Sequence, residues 1–168
     1  MTYSIKPLEA GHDRSAFSCG KDMLDNYIIK QAKQDMKRRL CVVFVMSAND
    51  NDKKVIGYYT LTNDAIDKAF VPEELTRKLP PSYQNLPVTL LGRLAVDQNH
   101  HGEKLGEKLL IHALKRSAEI SKTQIGSFAV VVDPLDKDAI SFYAQYGFIL
   151  LPDRGRMFLP MKTIEQLF

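Results

Sequence analysis

With 168 residues, of which 45% are hydrophobic, the chain can bury a sizeable core, and its length predicts one domain over residues 1–168. The formal net charge of +3 is too small to indicate nucleic-acid binding, and Cys19 and Cys41 lack the spacing of a metal site or a disulfide framework. The first residues lack a signal-peptide core and no apolar run reaches membrane length. We therefore expect a soluble, cytoplasmic protein with no metal.

The pattern of apolar residues in the first half of the chain predicts a hairpin and several helices. In chain order the predicted elements are a strand at 3–7, a helix at 21–39, hairpin strands at 41–47 and 55–62, short helices at 64–70 and 72–78, and a proline-containing connection at 79–87. On the long helix, Leu24, Tyr27, Ile28 and Ala32 fall on one side. Together with the strand–helix–strand order that follows, this predicts an α/β sheet of mixed direction.

The segment from Val88 to Leu114 is the most informative part of the chain. An apolar strand to Val96 leads into a polar turn, a loop containing Gly102 and Gly106, and residues at helical spacing. A helix start of this kind presents free backbone N–H groups and a partial positive charge, which bind anions. The segment indicates a phosphate-bearing cofactor, although an ordinary loop before a surface helix gives the same pattern.

A second informative segment follows a strand predicted at 127–133. Asp136 is placed to cap a helix whose buried face holds Ala139, Ile140 and Tyr143, and Gly147 is placed to end that helix. Closing strands are expected at 148–151 and 157–161. A short amphipathic helix with core aromatic residues explains the segment equally well.

The two segments, in this order, resemble the Gcn5-related N-acetyltransferase (GNAT) family. Its pyrophosphate loop, Gln/Arg-x-x-Gly-x-Gly/Ala, corresponds here to His101-Gly102-Glu103-Lys104-Leu105-Gly106. Its later motif, Ala-x-x-Phe-Tyr-x-x-x-Gly-Phe, stands at Ala139, Phe142, Tyr143, Gly147 and Phe148. His101 and Lys104 depart from the loop pattern, the latter in place of the middle glycine.

This resemblance implies a single-domain GNAT fold, with a mixed, mostly antiparallel sheet, a splayed pair of parallel central strands and flanking helices. It implies an enzyme that transfers an acetyl group from acetyl-coenzyme A, with Tyr143 as the catalytic proton donor to the leaving thiolate. The residues implied to bind the cosubstrate are Leu94, Ala95, Val96, His101, Gly102, Glu103, Lys104, Leu105, Gly106, Glu107 and Asp136.

The start of the chain narrows the resemblance. Phe17-Ser18-Cys19-Gly20 with Leu24-Asp25-x-Tyr27, and the strand 91–97, Leu-Gly-Arg-Leu-Ala-Val-Asp, are similar to the acetyltransferase toxins of bacterial type II toxin–antitoxin systems. The similarity implies acetylation of the α-amino group of aminoacyl-tRNA, which blocks translation. It also implies a ribbon-helix-helix antitoxin as partner and a homodimer.

No carboxylate in the sequence stands out as a general base. A lysine amine, with a pKa of about 10.4, needs a base at neutral pH. An α-amino group has a pKa of about 7.7–8.0 and is already partly neutral. A site without a base therefore favours an aminoacyl ester as acceptor. Tyr58, Tyr59, Asp64 or an ordered water remain possible assistants.

Basic residues offer contacts for tRNA, and Arg38, Arg93 and Arg154 are the predicted substrate-binding residues. Arg93 interrupts an apolar strand, where a charge is costly unless it meets an anion or a partner, and a structural salt bridge is the alternative. Lys30, Lys33, Lys37 and Arg39 accompany Arg38, and Arg156 accompanies Arg154. Ordinary solvated faces explain such clusters as well.

Two other functions stay open from the sequence. One is a GNAT enzyme that acetylates a small amine or a protein without any need for tRNA. The other is a non-catalytic scaffold that binds coenzyme A or a partner, which the departures at His101 and Lys104 allow and the intact Tyr143 opposes.

Overall fold

The computed structural model describes residues 2–168. Its strands are β1 (Tyr3–Pro7), β2 (Val42–Ala48), β3 (Gly57–Asp67), β4 (Asn85–Val96), β5 (Ala129–Val132), β6 (Ile149–Leu150) and β7 (Met157–Pro160). Its α-helices are α1 (Asp22–Asn26), α2 (Ala32–Lys37), α3 (Glu73–Thr76), α4 (Leu105–Thr123), α5 (Lys137–Gln145) and α6 (Met161–Glu165). A π-helical turn (Tyr27–Gln31) joins α1 to α2, and 3-10 turns stand at Lys68–Phe70 and Gln98–His100.

The seven strands form one mixed sheet in the order β1-β2-β3-β4-β5-β7-β6. The β1–β2, β2–β3, β5–β7 and β6–β7 pairs are antiparallel, and the β4–β5 pair is parallel. Leu91 lies opposite Val132, where β5 ends, whereas β4 continues to Val96. The predicted α/β fold, with parallel strands at the centre of a mostly antiparallel sheet, is confirmed.

The described residues group into two compact units, each with its own apolar core. The first comprises residues up to Thr62 and Gly92–Ala113, and the second comprises Asn63–Leu91 and Leu114–Phe168. The single domain expected from the length stays a prediction.

The core of the first unit explains the predicted long helix. Tyr27, Ile28 and Ala32 are buried with Val43 and Tyr58, so the apolar side predicted for this helix packs against the strands. The helix carries a π-helical turn that the sequence did not predict. Arg14 Nη1 donates to the carbonyl of Ile28 at 3.0 Å and so provides a partner within this wider turn.

Asp97, directly after β4, joins three segments of the first unit. Its side chain is buried; Oδ2 accepts from the Ser18 N–H at 3.1 Å and Oδ1 from the Asn99 N–H at 2.9 Å. The Cys19 N–H in turn donates to Asp25 Oδ1 at 2.7 Å. These bonds connect the segment 17–20, the Leu24-Asp25 pair and the end of β4. They explain why the three segments occur together as a motif.

The second unit packs β5 against apolar side chains from both of its flanking strands. Its buried cluster comprises Ile66, Val71, Leu86, Val88, Ala129, Val131, Leu151 and Phe158. β5 is fully buried over all four residues, which accounts for its unbroken run of small and β-branched side chains.

Four local features differ from the predictions. The helix expected at 64–70 is the end of β3, because Ile66 is buried in the second core while its neighbours alternate outward; only residues 68–70 turn. β4 begins at Asn85, inside the predicted connection, and a final helix follows Pro160. Ile140, expected on the buried face of α5, is 39% exposed.

We predict that Asp97→Ala destabilises the protein strongly. Hydrogen bonds to a charged group contribute about 1.5–3 kcal/mol each, and two backbone donors would lose their acceptor. We expect a loss of roughly 2–4 kcal/mol and a melting temperature lower by about 5–10 °C, measured by thermal unfolding. The exposed turn variant Asp52→Ala is the control, and equal melting temperatures for the two variants would contradict the role of Asp97.

Candidate active site

The loop between β4 and α4 contains two residues in the left-handed conformation. Gly102 adopts φ 87°, and Lys104 adopts φ 59° at the position where the GNAT motif has its middle glycine. A left-handed conformation costs a non-glycine residue about 1–2 kcal/mol. Lys104 thus keeps the geometry of the missing glycine at an energetic cost and adds a cation beside the start of a 19-residue helix.

His101, the other departure from the motif, ties this loop to β4. Its Nε2 lies 2.8 Å from the carbonyl oxygen of Val96. A carbonyl only accepts hydrogen bonds, so Nε2 carries the proton in this arrangement. The imidazole therefore fixes the end of β4, where the resemblance implies that Leu94, Ala95 and Val96 bind the cosubstrate.

The Glu103 side chain is engaged within the protein. Oε1 accepts from the Tyr3 hydroxyl at 2.7 Å, and Oε2 lies 3.1 Å from His100 Nδ1. The hydrogen bond from Tyr3, helped by His100, holds the pKa of Glu103 below its usual range. Glu103 is therefore suited to bind an anionic ligand through its backbone N–H and not through its side chain. The backbone N–H groups of Leu105 and Gly106, in the first turn of α4, are suited in the same way.

Tyr143 lies on α5 in a position set by local hydrogen bonds. The Asp136 side chain accepts from the Ala139 N–H at 2.9 Å, which caps the helix as predicted. Tyr143 is 7% exposed and contacts the rings of Phe142 and Phe148. Burial raises the pKa of Tyr143, so the phenol stays neutral and retains its proton at physiological pH.

Two of the possible assistants are structural. Tyr58 and Tyr59 have no exposed surface; the Tyr58 hydroxyl donates to the Leu24 carbonyl at 2.7 Å, and the Tyr59 hydroxyl lies 2.7 Å from His112 Nδ1. Burial also raises the pKa of Tyr58 far above neutrality. Neither phenol is suited to accept a proton from a substrate amine.

Asp64, the third possible assistant, is bound to a buried arginine. Arg156, 4% exposed, donates to Asp64 Oδ2 at 2.6 Å and to Asp133 Oδ1 at 2.8 Å. Burial opposes ionisation of Asp64, but the hydrogen bond and charge of Arg156 hold its pKa below the usual range. A carboxylate stabilised in this way is a poor base.

The basic residues separate into exposed and structural groups. Arg38 is exposed, as is Arg154, with 73% of its side chain accessible and Nε 3.4 Å from Asp153. Arg156, grouped with Arg154 from the sequence, is instead buried and forms ion pairs with Asp64 and Asp133. Its assignment to a solvent-facing basic cluster was wrong.

Arg93 has a partner that the sequence did not predict. Its guanidinium carbon lies 3.5 Å from the ring centroid of Tyr27, on the π-helical turn. Such a cation–π contact stabilises a half-buried cation and leaves the guanidinium edges able to donate hydrogen bonds. A separation of 66 positions carries no periodic signal, so only the folded chain could reveal this pair.

Within residues 2–168, no group of three or more His, Cys, Asp or Glu side chains could hold a metal ion. In the same part of the chain, every helix is too short or too polar to cross a membrane.

Comparison with known proteins identifies the family. The model of the acetyltransferase (GNAT) domain matches residues 39–150. The chain belongs to the GNAT acetyltransferases. It is an acetyl-coenzyme A-dependent N-acetyltransferase, as predicted.

Two curated relatives match nearly the whole chain. A probable toxin TacT of Sinorhizobium fredii is 36% identical, over 97% of this chain and 93% of the relative. A tRNA-acetylating toxin of Mycobacterium tuberculosis is 33% identical, over 92% of this chain and 90% of the relative.

Solved structures of similar toxins share the fold throughout. A tyrosine-to-phenylalanine mutant of KacT has a TM-score of 0.92 at 29% identity and covers 100% of both chains. AtaT complexed with acetyl-methionyl-tRNAfMet has a TM-score of 0.91 at 29% identity, over 99% of both. An AtaT mutant bound to the C-terminus of the antitoxin AtaR and acetyl-CoA has a TM-score of 0.85 at 26% identity, over 99% of this chain and 98% of that chain.

We predict that Asp64→Asn destabilises the protein at neutral pH and that the difference disappears in acid. A carboxylate whose pKa is lowered by folding stabilises the folded state at every pH above its pKa in the unfolded chain, which is about 3.9. This stabilisation is lost as the pH falls through the pKa of the folded state. Urea unfolding midpoints of the variant and the wild type, measured from about pH 2 to 7, should therefore begin to converge at about pH 4 and coincide only below the folded-state pKa of Asp64. Asp52→Asn is the control, and a pH-independent difference would refute this assignment.

We predict that Lys104→Gly stabilises the protein and weakens coenzyme A binding. Glycine relieves the left-handed strain, while the loss of the cation removes a phosphate contact. Relative to Lys104→Ala, which loses the charge but keeps the strain, the glycine variant should melt about 2 °C higher. Calorimetric titration with coenzyme A should show similar weakening for both variants; full affinity in either would exclude the phosphate contact.

Proposed function

We propose that this enzyme is the toxin of a type II toxin–antitoxin system and acetylates the α-amino group of aminoacyl-tRNA, which blocks translation. The observation that carries the proposal is the likeness of the chain, over nearly its whole length, to toxins of this activity. The tRNA-bound relative matches with a TM-score of 0.91. A substrate of this kind is consistent with action in the cytoplasm.

The chemistry of the acceptor supports the same proposal. Each side chain considered from the sequence as a possible base is a buried phenol or a carboxylate bound to Arg156. An enzyme without a strong base requires an amine that is already partly neutral at pH 7. The α-amino group of an aminoacyl ester meets this requirement much better than a lysine side chain.

Roles for the chain's own residues follow from this reaction. The amine nitrogen attacks the thioester carbonyl, the carbon–sulfur bond breaks, and an amide and a free thiol result. The backbone of Leu94 and Val96 would orient the acetyl donor, and Lys104 and the start of α4 would hold its phosphates. Tyr143, neutral and buried, would donate its proton to the departing sulfur, the proton released by the amine would pass to water, and water would then return a proton to the Tyr143 phenolate.

Arg38, Arg93 and Arg154 are the proposed contacts for the RNA. Arg38 and Arg154 are exposed and suit backbone phosphates. Arg93 is half-buried against Tyr27, which suits a contact nearer the reacting end of the substrate.

An antitoxin that covers the enzyme is the proposed partner. A solved relative is bound to the C-terminus of its antitoxin, which supports such an arrangement. The ribbon-helix-helix class of the antitoxin and the homodimer stay predictions.

The decisive experiment incubates the enzyme with acetyl-coenzyme A and total charged tRNA, followed by ribonuclease digestion and mass spectrometry. We expect N-acetyl-aminoacyl-adenosine from the wild type, and a loss of about 100-fold or more in Tyr143→Phe, because general acid catalysis contributes about 10²–10⁴-fold. The matched control is Tyr146→Phe, which changes the tyrosine at the end of the same helix and should retain activity.

Other outcomes would replace the proposal. Turnover with free amines or peptides, and none with charged tRNA, would establish a small-amine or protein acetyltransferase. Coenzyme A binding without turnover on any amine would establish a non-catalytic scaffold. Full activity in Tyr143→Phe would remove Tyr143 from the role of proton donor.

A further inference from the structure

The left-handed backbone positions of this protein share an unexpected feature. Among residues 2–168, three residues other than glycine have positive φ: Arg39 at 63°, Lys104 at 59° and Arg154 at 53°. All three are long cations, although Lys and Arg make up only 23 of the 168 residues. Asparagine, aspartate and glycine are the residues that usually accept this conformation.

Arg39 stands where a helix most favours glycine. It follows α2, and its N–H donates to the Met36 carbonyl at 3.1 Å, while the Leu40 N–H donates to the Asp35 carbonyl at 2.9 Å. This pair of bonds is the Schellman motif, whose left-handed residue is usually glycine. The fold therefore requires the left-handed turn at this position but does not require the arginine.

The surroundings of Arg39 are strongly basic and open to solvent. Lys30, Lys33, Lys37 and Arg38 are exposed on or directly after the same helical segment. At about 1.5 Å per residue, the segment from Lys30 to Arg39 extends roughly 13 Å. A row of cations of this length carries mutual repulsion, which a polyanion would relieve.

We propose that Arg39 binds a backbone phosphate of the tRNA, and that this contact accounts for an arginine at a position the fold assigns to glycine. The inference rests on the proposed function. A guanidinium presents its donors in a planar fork that matches phosphate oxygens, and it keeps its charge at any physiological pH. Strain at a functional residue, offset by the rest of the fold, is a recognised signature of binding sites.

RNA fits this row of cations better than an acidic protein segment. Nucleic-acid charge repeats regularly, at about 3.4 Å per nucleotide along a helix, so several neighbouring cations can be matched at once. The Arg39 contact would then belong to a sequence-independent anchor that positions the charged end of the substrate.

Three substitutions at Arg39 separate strain from binding. Arg39→Gly loses the charge and the strain, Arg39→Ala loses the charge alone, and Arg39→Lys keeps both. We expect Arg39→Gly to melt about 2 °C above Arg39→Ala, because only glycine relieves the left-handed turn. Lys115→Ala, which removes one exposed cation from the regular helix α4, is the control for net charge.

The affinity for tRNA is measured for the same variants, with the full-length enzyme and total tRNA, by fluorescence anisotropy at several salt concentrations. Arg39→Gly and Arg39→Ala should both weaken binding by about three- to tenfold and reduce the salt slope by about 1. Arg39→Lys, which keeps the charge but loses the guanidinium fork, should bind more tightly than Arg39→Ala and more weakly than the wild type, and Lys115→Ala should be unchanged. The result expected is thus a glycine variant that is more stable than its alanine counterpart and equally defective in binding.

The inference and the proposed function fail in different ways. If the wild type acetylates charged tRNA but Arg39→Gly binds tRNA normally, the proposed function stands and the phosphate contact is wrong. If binding falls equally in Lys115→Ala, only net charge matters and the inference is overturned. If the wild type neither binds nor acetylates tRNA, both are overturned, and Arg39 becomes a candidate contact for an acidic partner protein.

Discussion

The buried carboxylate of Asp97 is the constraint on which the cofactor side of the enzyme depends. It ends β4, accepts from the backbone of Ser18, and begins the turn that leads into the loop before α4. The amino-terminal motif and the loop are therefore parts of one hydrogen-bonded arrangement, although 79 positions separate Ser18 from Asp97. His101 adds a second bond from the loop to the same strand end.

A second theme is the use of strained positions to present charge. Glycine would satisfy the backbone at Arg39, Lys104 and Arg154 at a lower conformational cost. At Lys104 the side chain stands beside a helix start that favours anions, so both effects would act on the same phosphates in the proposed site. The stability given up at each position, about 1–2 kcal/mol, is of the same order as the free energy that one charge-assisted contact would contribute.

The sequence predicted the elements with strong periodicity and the residues with local roles. The long first helix, the strand–loop–helix and the Asp136 cap are all encoded within a few neighbouring positions. The end of β3 was missed because Asp64 and Asp67 disfavour strands, and burial of Ile66 in the second core outweighs that preference. The Arg93–Tyr27 stack and the Arg156 ion pairs join distant residues, so no local pattern encodes them.

The two cysteines lie in different environments, and this difference has a consequence for chemical labelling of the protein. Burial raises the pKa of Cys19 to about 11, so this thiol stays protonated and inert at neutral pH. Cys41 is half-buried, and its sulfur lies 3.2 Å from the hydroxyl of Tyr27. The guanidinium of Arg93 stacks on the ring of the same tyrosine. We therefore expect a thiol reagent to label Cys41 before Cys19 in the native chain, next to the tyrosine on which Arg93 stacks. The rate of that labelling would then change when the Arg93–Tyr27 contact is broken, and no engineered probe would be needed.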